Sequence, residues 1–381
     1  MVDIELLRQD VGSAAANLAR RGVDRSHIDE LVQLDNTWRA LTKEVEQLRA
    51  QQNATNKEIS VADEANRSLL ITRMKEMAIT LKQKETELED VATRRQTVWG
   101  LLPNLVADGV PNGGEDDGEV VYESSVVPRD DVPMDYFTLL GDAIDLERAA
   151  KVSGSRFVYL KGALVRLEYA LVAYIADTLS EELFIPVSPP LLVSEKAMGG
   201  MGYLDHEGDE IYRTQDDLYL VGTRAQSLGP MHMDEIILEE SLPLRYFAFT
   251  PCFRREAGSH GKDVRGVLRI KKFERVEMFS FCHPQTSTDE HELLLRMQQK
   301  MMDELQIPYR VVKLAAGDLG SPSAITYDIE SWIPSEGKYR ETHSTSNTTD
   351  FQARRLRIRT KEAGKTSYVH MLNGTAMSMS I

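Results

Sequence analysis

A strand-like segment ends Phe253-Arg254-Arg255-Glu256, and a basic loop with Gly258, Gly261 and Gly266 follows it. An arginine at a strand end can clamp a phosphate through paired N–H donors, and a neighbouring glutamate can accept from an exocyclic amine, so the tetrapeptide suits a nucleotide. From 253 to 275 there are eight bases (Arg254, Arg255, Lys262, Arg265, Arg269, Lys271, Lys272, Arg275) against three acids. A solvated charged hairpin has the same composition, and the four residues alone do not separate the two readings. Gly261-Lys262 is followed by Asp263, and position 256 is Glu rather than Gly, so no G-x-x-x-x-G-K-[ST] is present. With no G-x-G-x-x-G either, P-loop and Rossmann nucleotide sites are unsupported. Glu277 and Glu341 are carboxylates on strand-like segments, and most such side chains simply face water. Cys252 and Cys282 cannot form a disulfide scaffold or a Cys-rich zinc site.

The elements around these residues divide the chain. Residues 27–100 contain no proline, and no glycine before Gly100. Leu34, Leu41 and Leu48 are spaced by heptads, as are Leu70, Met74, Met77, Leu81, Leu88 and Val91 further on. Two such stripes separated by a polar stretch around Ser60–Asn66 predict an antiparallel helical hairpin, with Ser26-x-x-Asp29 as the capping box at its start. Residues 103–135, rich in Pro, Gly and acid, read as a linker. Beyond them the pattern is α+β. A helix is expected over Ala163–Leu179 and a proline-interrupted strand over Phe184–Val193. Further strands are expected at Tyr246–Phe253, Val267–Phe281, Thr342–Arg359 and Ser367–Ser380.

The net charge of −15 is uneven, since residues 106–149 hold twelve acids and two bases. Global acidity therefore does not exclude a nucleotide or nucleic-acid partner. Ala163–Leu179 is interrupted by Arg166, Glu168 and Asp177, and the first ten residues lack a signal-peptide pattern, so a cytoplasmic protein is expected.

Pro251-Cys252-Phe253-Arg254-Arg255-Glu256-Ala257-Gly258-Ser259, with Gly261-Lys262-Asp263, Arg265-Gly266, Phe273 and Val276-Glu277, closely resembles motif 2 of the seryl-tRNA synthetases, which are class II aminoacyl-tRNA synthetases. Ser188-Pro189-Pro190-Leu191-Leu192-Val193 resembles their motif 1. Glu341-Thr342-His343-Ser344-Thr345-Ser346-Asn347, with Asp350 to Arg355, is similar to the strand before motif 3, and Leu372-Asn373-Gly374-Thr375-Ala376 to the start of motif 3. The resemblance covers nearly the whole chain in the right order.

It implies a helical domain over 1–102 with a tRNA-binding coiled-coil arm at about 27–100, and a class II catalytic domain over 136–381 built on an antiparallel β-sheet flanked by helices. It implies serine–tRNA ligase activity: ATP-dependent formation of seryl-adenylate, then transfer to the 3′ end of tRNA(Ser), with tRNA(Sec) as a further substrate. By resemblance Arg254 holds the ATP α-phosphate and the serine carboxylate, Glu256 reads adenine, Phe273 stacks on it, and Arg255, Thr342 and His343 complete the ATP site. Glu341 and Ser344 hold Mg²⁺. Serine is met by Thr223, Arg224, Ala225, Glu277, Asn373 and Thr375. Arg39, Lys43 and Arg49 are the basic residues expected to meet tRNA, and motif 1 implies a homodimer.

The sequence departs from the family at two places. The family's Thr-x-Glu is Thr223-Arg224-Ala225 here, and the motif 3 arginine that holds the γ-phosphate falls at Ile381. These departures imply a chain truncated at motif 3. They also leave an alternative: an impaired paralogue that serves as a tRNA- or protein-binding module.

Overall fold

The computed structural model describes residues 1–128, 134–204, 208–257, 269–362 and 364–379, leaving aside the side chain of residue 65. It divides into two compact units, Val2–Leu102 and Pro103–Ile381.

The smaller unit contains helices α1 (Ile4–Gln9), α2 (Val11–Ala19), α3 (Arg25–Val61) and α4 (Glu64–Leu101). Asp24 caps α3 by accepting from the Ser26 N–H at 2.7 Å, and Asp63 caps α4 by accepting from the Asn66 N–H at 2.9 Å. The expected Ser26/Asp29 box does not form: Ser26 already lies in the first turn, and Asp29 pairs instead with Arg25 at 2.8 Å. At ~1.5 Å rise per residue, the 37 residues of α3 extend about 55 Å. The heptad stripes meet as expected, with Leu34, Leu41 and Val91 buried together against Trp38, Leu88 and Val98. Burial fades toward the turn, where Val61 is 86% and Leu69 70% exposed.

The larger unit is built on an eight-stranded sheet. Its strands are β1 (Glu119–Glu123), β2 (Ile185–Pro186), β3 (Leu244–Phe253), β4 (Lys272–Cys282), β5 (Tyr309–Lys313), β6 (Ile325–Ile333), β7 (Lys338–Asn347) and β8 (His370–Ser378). They lie in the order β1-β5-β6-β7-β8-β4-β3-β2, and only β2 and β3 run parallel. Apolar side chains of the sheet pack against helices on both of its faces. Val276 and Met278 of β4 pack with helices α5 (Ala163–Glu181) and α7 (Ser287–Glu304), whereas Phe279 and Phe281 join Ala225 and Leu228 of the short helix α6 (Ala225–Leu228) and Leu356 of α8 (Phe351–Leu356).

Three segments differ from expectation. Residues 103–128 belong to the larger unit: Asn104 is buried, its amide donates to the Pro322 and Thr348 carbonyls at 2.9 and 2.8 Å, and β1 pairs with β5. Phe184–Val193 is broken into β2 and a separate Leu192–Ser194 strand, because prolines at 186, 189 and 190 cannot sustain a ladder. Thr342–Arg359 is the end of β7, then α8, then a strand at Arg359–Glu362.

Candidate active site

Strands β4, β6, β7 and β8 bring polar side chains to one concave face. In an antiparallel ladder, residues opposite each other share a face. Thr375 lies opposite Glu277, Ser346 opposite Asn373, and Asp328 opposite Ser344. Strand alternation alone would put Glu341 and Ser344, three residues apart, on opposite faces. A bulge resolves this: Glu330 pairs with Glu341 and Ile329 with His343, leaving Thr342 as the extra residue. A cavity of about 380 Å³ results, and Glu277, Arg254, Arg275, Asp328, Glu341 and Ser344 all line it.

Glu277 is the most heavily bonded of these groups. The Thr223 hydroxyl lies 2.9 and 2.7 Å from its two oxygens, the Arg224 backbone N–H donates at 3.2 Å, and the Asn373 amide at 3.4 Å. Arg275 Nε stands 3.4 Å away. Burial opposes ionisation of Glu277, but the charges of Arg275 and Arg224 and these hydrogen bonds outweigh it and hold the carboxyl below its ordinary range.

Arg254 donates from Nε to the Gly222 carbonyl at 3.2 Å, and both the Arg254 and Arg275 guanidinium groups lie 5.5 Å from the Phe273 ring centre. Two cations are thus anchored on one aromatic ring and aimed at the same cavity, an arrangement suited to phosphate.

Across the floor, burial and the charge of Glu341 push the Asp328 carboxyl well above its usual range. Burial raises Glu341 too, despite Arg275 and Arg254. Asp328 Oδ1 is buried without a hydrogen-bond partner. A carboxylate pair with an orphaned oxygen, beside the Ser344 hydroxyl, is the hard-oxygen donor set that Mg²⁺ prefers.

Other expected site residues do not line the cavity. Thr342 turns its hydroxyl to Ser331 Oγ at 2.7 Å, and His343 shares the face of Ile329, where burial and the charge of Arg275 lower it to about 4. Glu256 adopts a left-handed backbone (φ +53) and its carboxylate accepts from Arg269 Nε at 2.6 Å. Arg255 is exposed, with its backbone N–H donating to the Glu210 carbonyl at 2.9 Å. Arg224 and Ala225 are fully buried behind the cavity wall, and Ala225 packs with Met201, Leu228, Phe279 and Phe281. Thr375 is buried, its hydroxyl accepting from Arg275 Nη1 at 3.1 Å. The motif 2 loop from Gly258 to Gly266, and Ile381, lie outside the described residues. On the hairpin, Arg39 pairs with Asp35 at 3.3 Å and Arg49 with Glu85 at 2.7 Å, while Lys43 is exposed.

Sequence reasoning did not single out Arg275, Asp328, Asp318 or Gln226 as site residues, yet all line the cavity. The run Thr326, Asp328, Glu330 carries a signal for one of them: polar residues alternating on a central strand mark a polar face.

Comparison with known proteins places this geometry. Residues 209–380 match the tRNA synthetase class II core domain (G, H, P, S and T), and residues 1–106 match the seryl-tRNA synthetase N-terminal domain. The serine–tRNA ligase of Thermobifida fusca is 44% identical over 98% of this chain and 90% of its own length. The chain belongs to the seryl-tRNA synthetase family. The serine–tRNA ligase of Mycobacterium leprae is 42% identical over the same shares of the two chains. A seryl-tRNA synthetase from Pyrococcus horikoshii, solved in complex with ATP, superposes with a TM-score of 0.91 at 35% identity, covering 100% of this chain and 92% of that one. The cytoplasmic serine–tRNA ligase of Naegleria fowleri, solved with AMP, gives 0.84 at 28% identity. Among the described residues of this seryl-tRNA synthetase family member, no helix is long and apolar enough to cross a membrane.

Proposed function

We propose that the chain is a serine–tRNA ligase, activating serine with ATP and passing the acyl group to the 3′-terminal ribose of tRNA(Ser). The observation that carries this reading is the convergence of Arg254, Arg275 and Glu277 on one cavity with Asp328, Glu341 and Ser344. The serine carboxylate attacks the ATP α-phosphorus, and the bond to the β-phosphate breaks as pyrophosphate leaves. Arg254 and Arg275 neutralise charge growing on the phosphate oxygens, and their anchoring on Phe273 keeps them in place without reorganisation. Glu277, fixed by Thr223 and Asn373, orients the amino acid. Mg²⁺ held by Glu341 and Ser344 would supply further neutralisation of phosphate charge. The α3/α4 hairpin would meet tRNA by shape and backbone contacts, with Arg39, Lys43 and Arg49 as candidate residues.

The test is serine-dependent ATP–pyrophosphate exchange by the full chain. Exchange is expected, with kcat/KM falling about 100-fold or more in Arg254→Ala, as for loss of a group that stabilises transition-state charge. A folded chain that binds ATP but shows no exchange would sink the reading.

A further inference from the structure

The sheet forks at the cavity. Strands β7 and β8 pair at Asn347–Leu372, Ser346–Asn373 and Thr345–Gly374, and there their ladder stops. Beyond it, Ser344 pairs outward with Asp328 of β6, and Thr375 pairs outward with Glu277 of β4. One arm of the fork therefore carries Asp328, Glu341 and Ser344, and the other carries Arg275, Glu277 and Thr375. The cavity draws its wall from both arms.

The carbonyls of Ser344 and Thr375 stand at the fork, and a side chain joins them where no ladder does. It comes from α7, which packs on Val276 and Met278, the face opposite Glu277. Gln298 of that helix donates from Nε2 to the Ser344 carbonyl at 3.0 Å and to the Thr375 carbonyl at 2.8 Å. An amide nitrogen has two N–H donors, so each carbonyl takes one. Both partners are acceptors, which fixes which end of the amide is the nitrogen. Gln298 is fully buried on a helix whose other buried residues include Leu294, Met297 and Met301, and its Oε1 has no hydrogen-bond partner. What the side chain contributes is thus its two donors. The junction is tight. A Cβ on Gly374 would lie 2.9 Å from Thr345 Oγ1 and 3.4 Å from Gln298 Nε2, and Thr345 Oγ1 is itself held by the Asn373 carbonyl at 3.2 Å.

We propose that Gln298 is a positioning residue for the activation step: by holding the two carbonyls it sets how far the arms open. It does not line the cavity. Its effect runs through Ser344 on one arm and, on the other, through Thr375, whose hydroxyl accepts from Arg275 Nη1 at 3.1 Å. The proposal rests on the activation chemistry proposed above, in which the serine carboxylate oxygen bonds to the α-phosphorus as the bond to pyrophosphate breaks. That step needs the amino acid at Glu277 and the nucleotide between the arms to meet in line, and a misplacement of ~1 Å can cost about 100-fold in rate. Each arm keeps its own binding groups when the bridge is lost, so affinity holds while the rate falls.

The experiment measures serine-dependent ATP–pyrophosphate exchange by the full chain, with rates counted per ATP-binding site so that any unfolded fraction drops out. Gln298→Met, similar in length and without donors, is expected to lower kcat by about tenfold to a hundredfold, with KM for serine and for ATP within about threefold. Gly374→Ala presses on the same junction and is expected to give the same split. The double variant should lose no more than the worse single one, within about threefold, because both act on one opening. A Gln298→Met protein whose kcat falls less than about tenfold, however much less heat-stable, overturns the proposal. So does a loss carried by KM at unchanged kcat, or losses that multiply in the double variant. No exchange by a folded, ATP-binding unmodified chain overturns the activation reading, and the proposal falls with it.

Discussion

Glu277 shows how much one side chain can depend on distant partners. It is 1% exposed, and its ionised form is held by Arg275, Thr223, the Arg224 backbone and Asn373. Replacing it by Gln leaves Arg224 and Arg275 as buried cations without a counter-charge, a change that in other proteins costs about 3–5 kcal/mol. Glu277→Gln is therefore expected to lower the unfolding free energy by about 3 kcal/mol and to reduce kcat/KM for serine at least ~100-fold, checked by denaturant unfolding and pyrophosphate exchange. Thr223→Val, which removes one hydroxyl donor, should cost about 1–2 kcal/mol, and an equal or larger loss would contradict this ranking. That Glu277 would line the cavity was legible in the sequence because motif 2 fixes its register. The resemblance also named Thr223 and Asn373, but not that they bond Glu277, since they lie 54 and 96 residues away and no local pattern links them. Ala225 was legible as a departure but misleading as a contact: it packs in an apolar cluster, so its methyl group does not face the cavity.

At the scale of elements, two buried polar devices hold the helices. In the hairpin unit, Asp35 is 2% exposed and accepts from Arg8 Nε and Arg95 Nε, each at 2.8 Å. Arg95 in turn lies 4.7 Å from both the Trp38 and Trp99 rings. Burial opposes ionisation of Asp35, but the hydrogen bonds from Arg8 and Arg95 hold its carboxyl below the usual range. A depressed carboxyl contributes stability that is present above the unfolded value near ~4 and lost as the pH falls below it. Asp35→Ala should cost about 2–3 kcal/mol at pH 7, read as earlier loss of helical circular dichroism on heating.

In the larger unit, His291 of α7 is buried and pairs through Nε2 with the Thr345 carbonyl of β7 at 3.0 Å, and burial lowers it to about 4. A histidine kept neutral stabilises fully above ~6.5, and that contribution declines as the pH falls toward the folded value. His291 alone should account for about 2 kcal/mol lost between pH 7.5 and pH 5. The unfolding free energy of His291→Gln should fall by that much less over the same range, and an unchanged pH slope would refute the assignment. The heptad seam and the position of the hairpin turn were readable because helix periodicity is local. The capping residue, the β7 bulge and the break into α8 were not, because tertiary contacts decide them.

For the molecule as a whole, exposed apolar surface and an unpaired sheet edge raise the question of a partner. Leu167 and Tyr169 of α5 are 54% and 65% exposed, Leu183 77%, and Ile185 of β2 51%. β2 is the outermost strand of the sheet, so one side of its backbone lacks a neighbour. An apolar cavity of about 380 Å³, lined by Val187, Pro189, Pro190, Leu192, Met231 and Met233 among others, begins two residues further along. An apolar strip of this kind, joined to a strand edge and a groove, fits a self-complementary two-fold contact better than solvent. We therefore predict a homodimer through α5, β2 and this groove, with light scattering at micromolar concentration giving twice the chain mass. Leu167→Asp combined with Ile185→Asp should shift the mass to that of one chain, since each places a charge in what would be a desolvated contact. A single-chain mass for the unmodified protein would refute the dimer. A double variant that stays dimeric would move the interface away from this strip while leaving the stoichiometry intact.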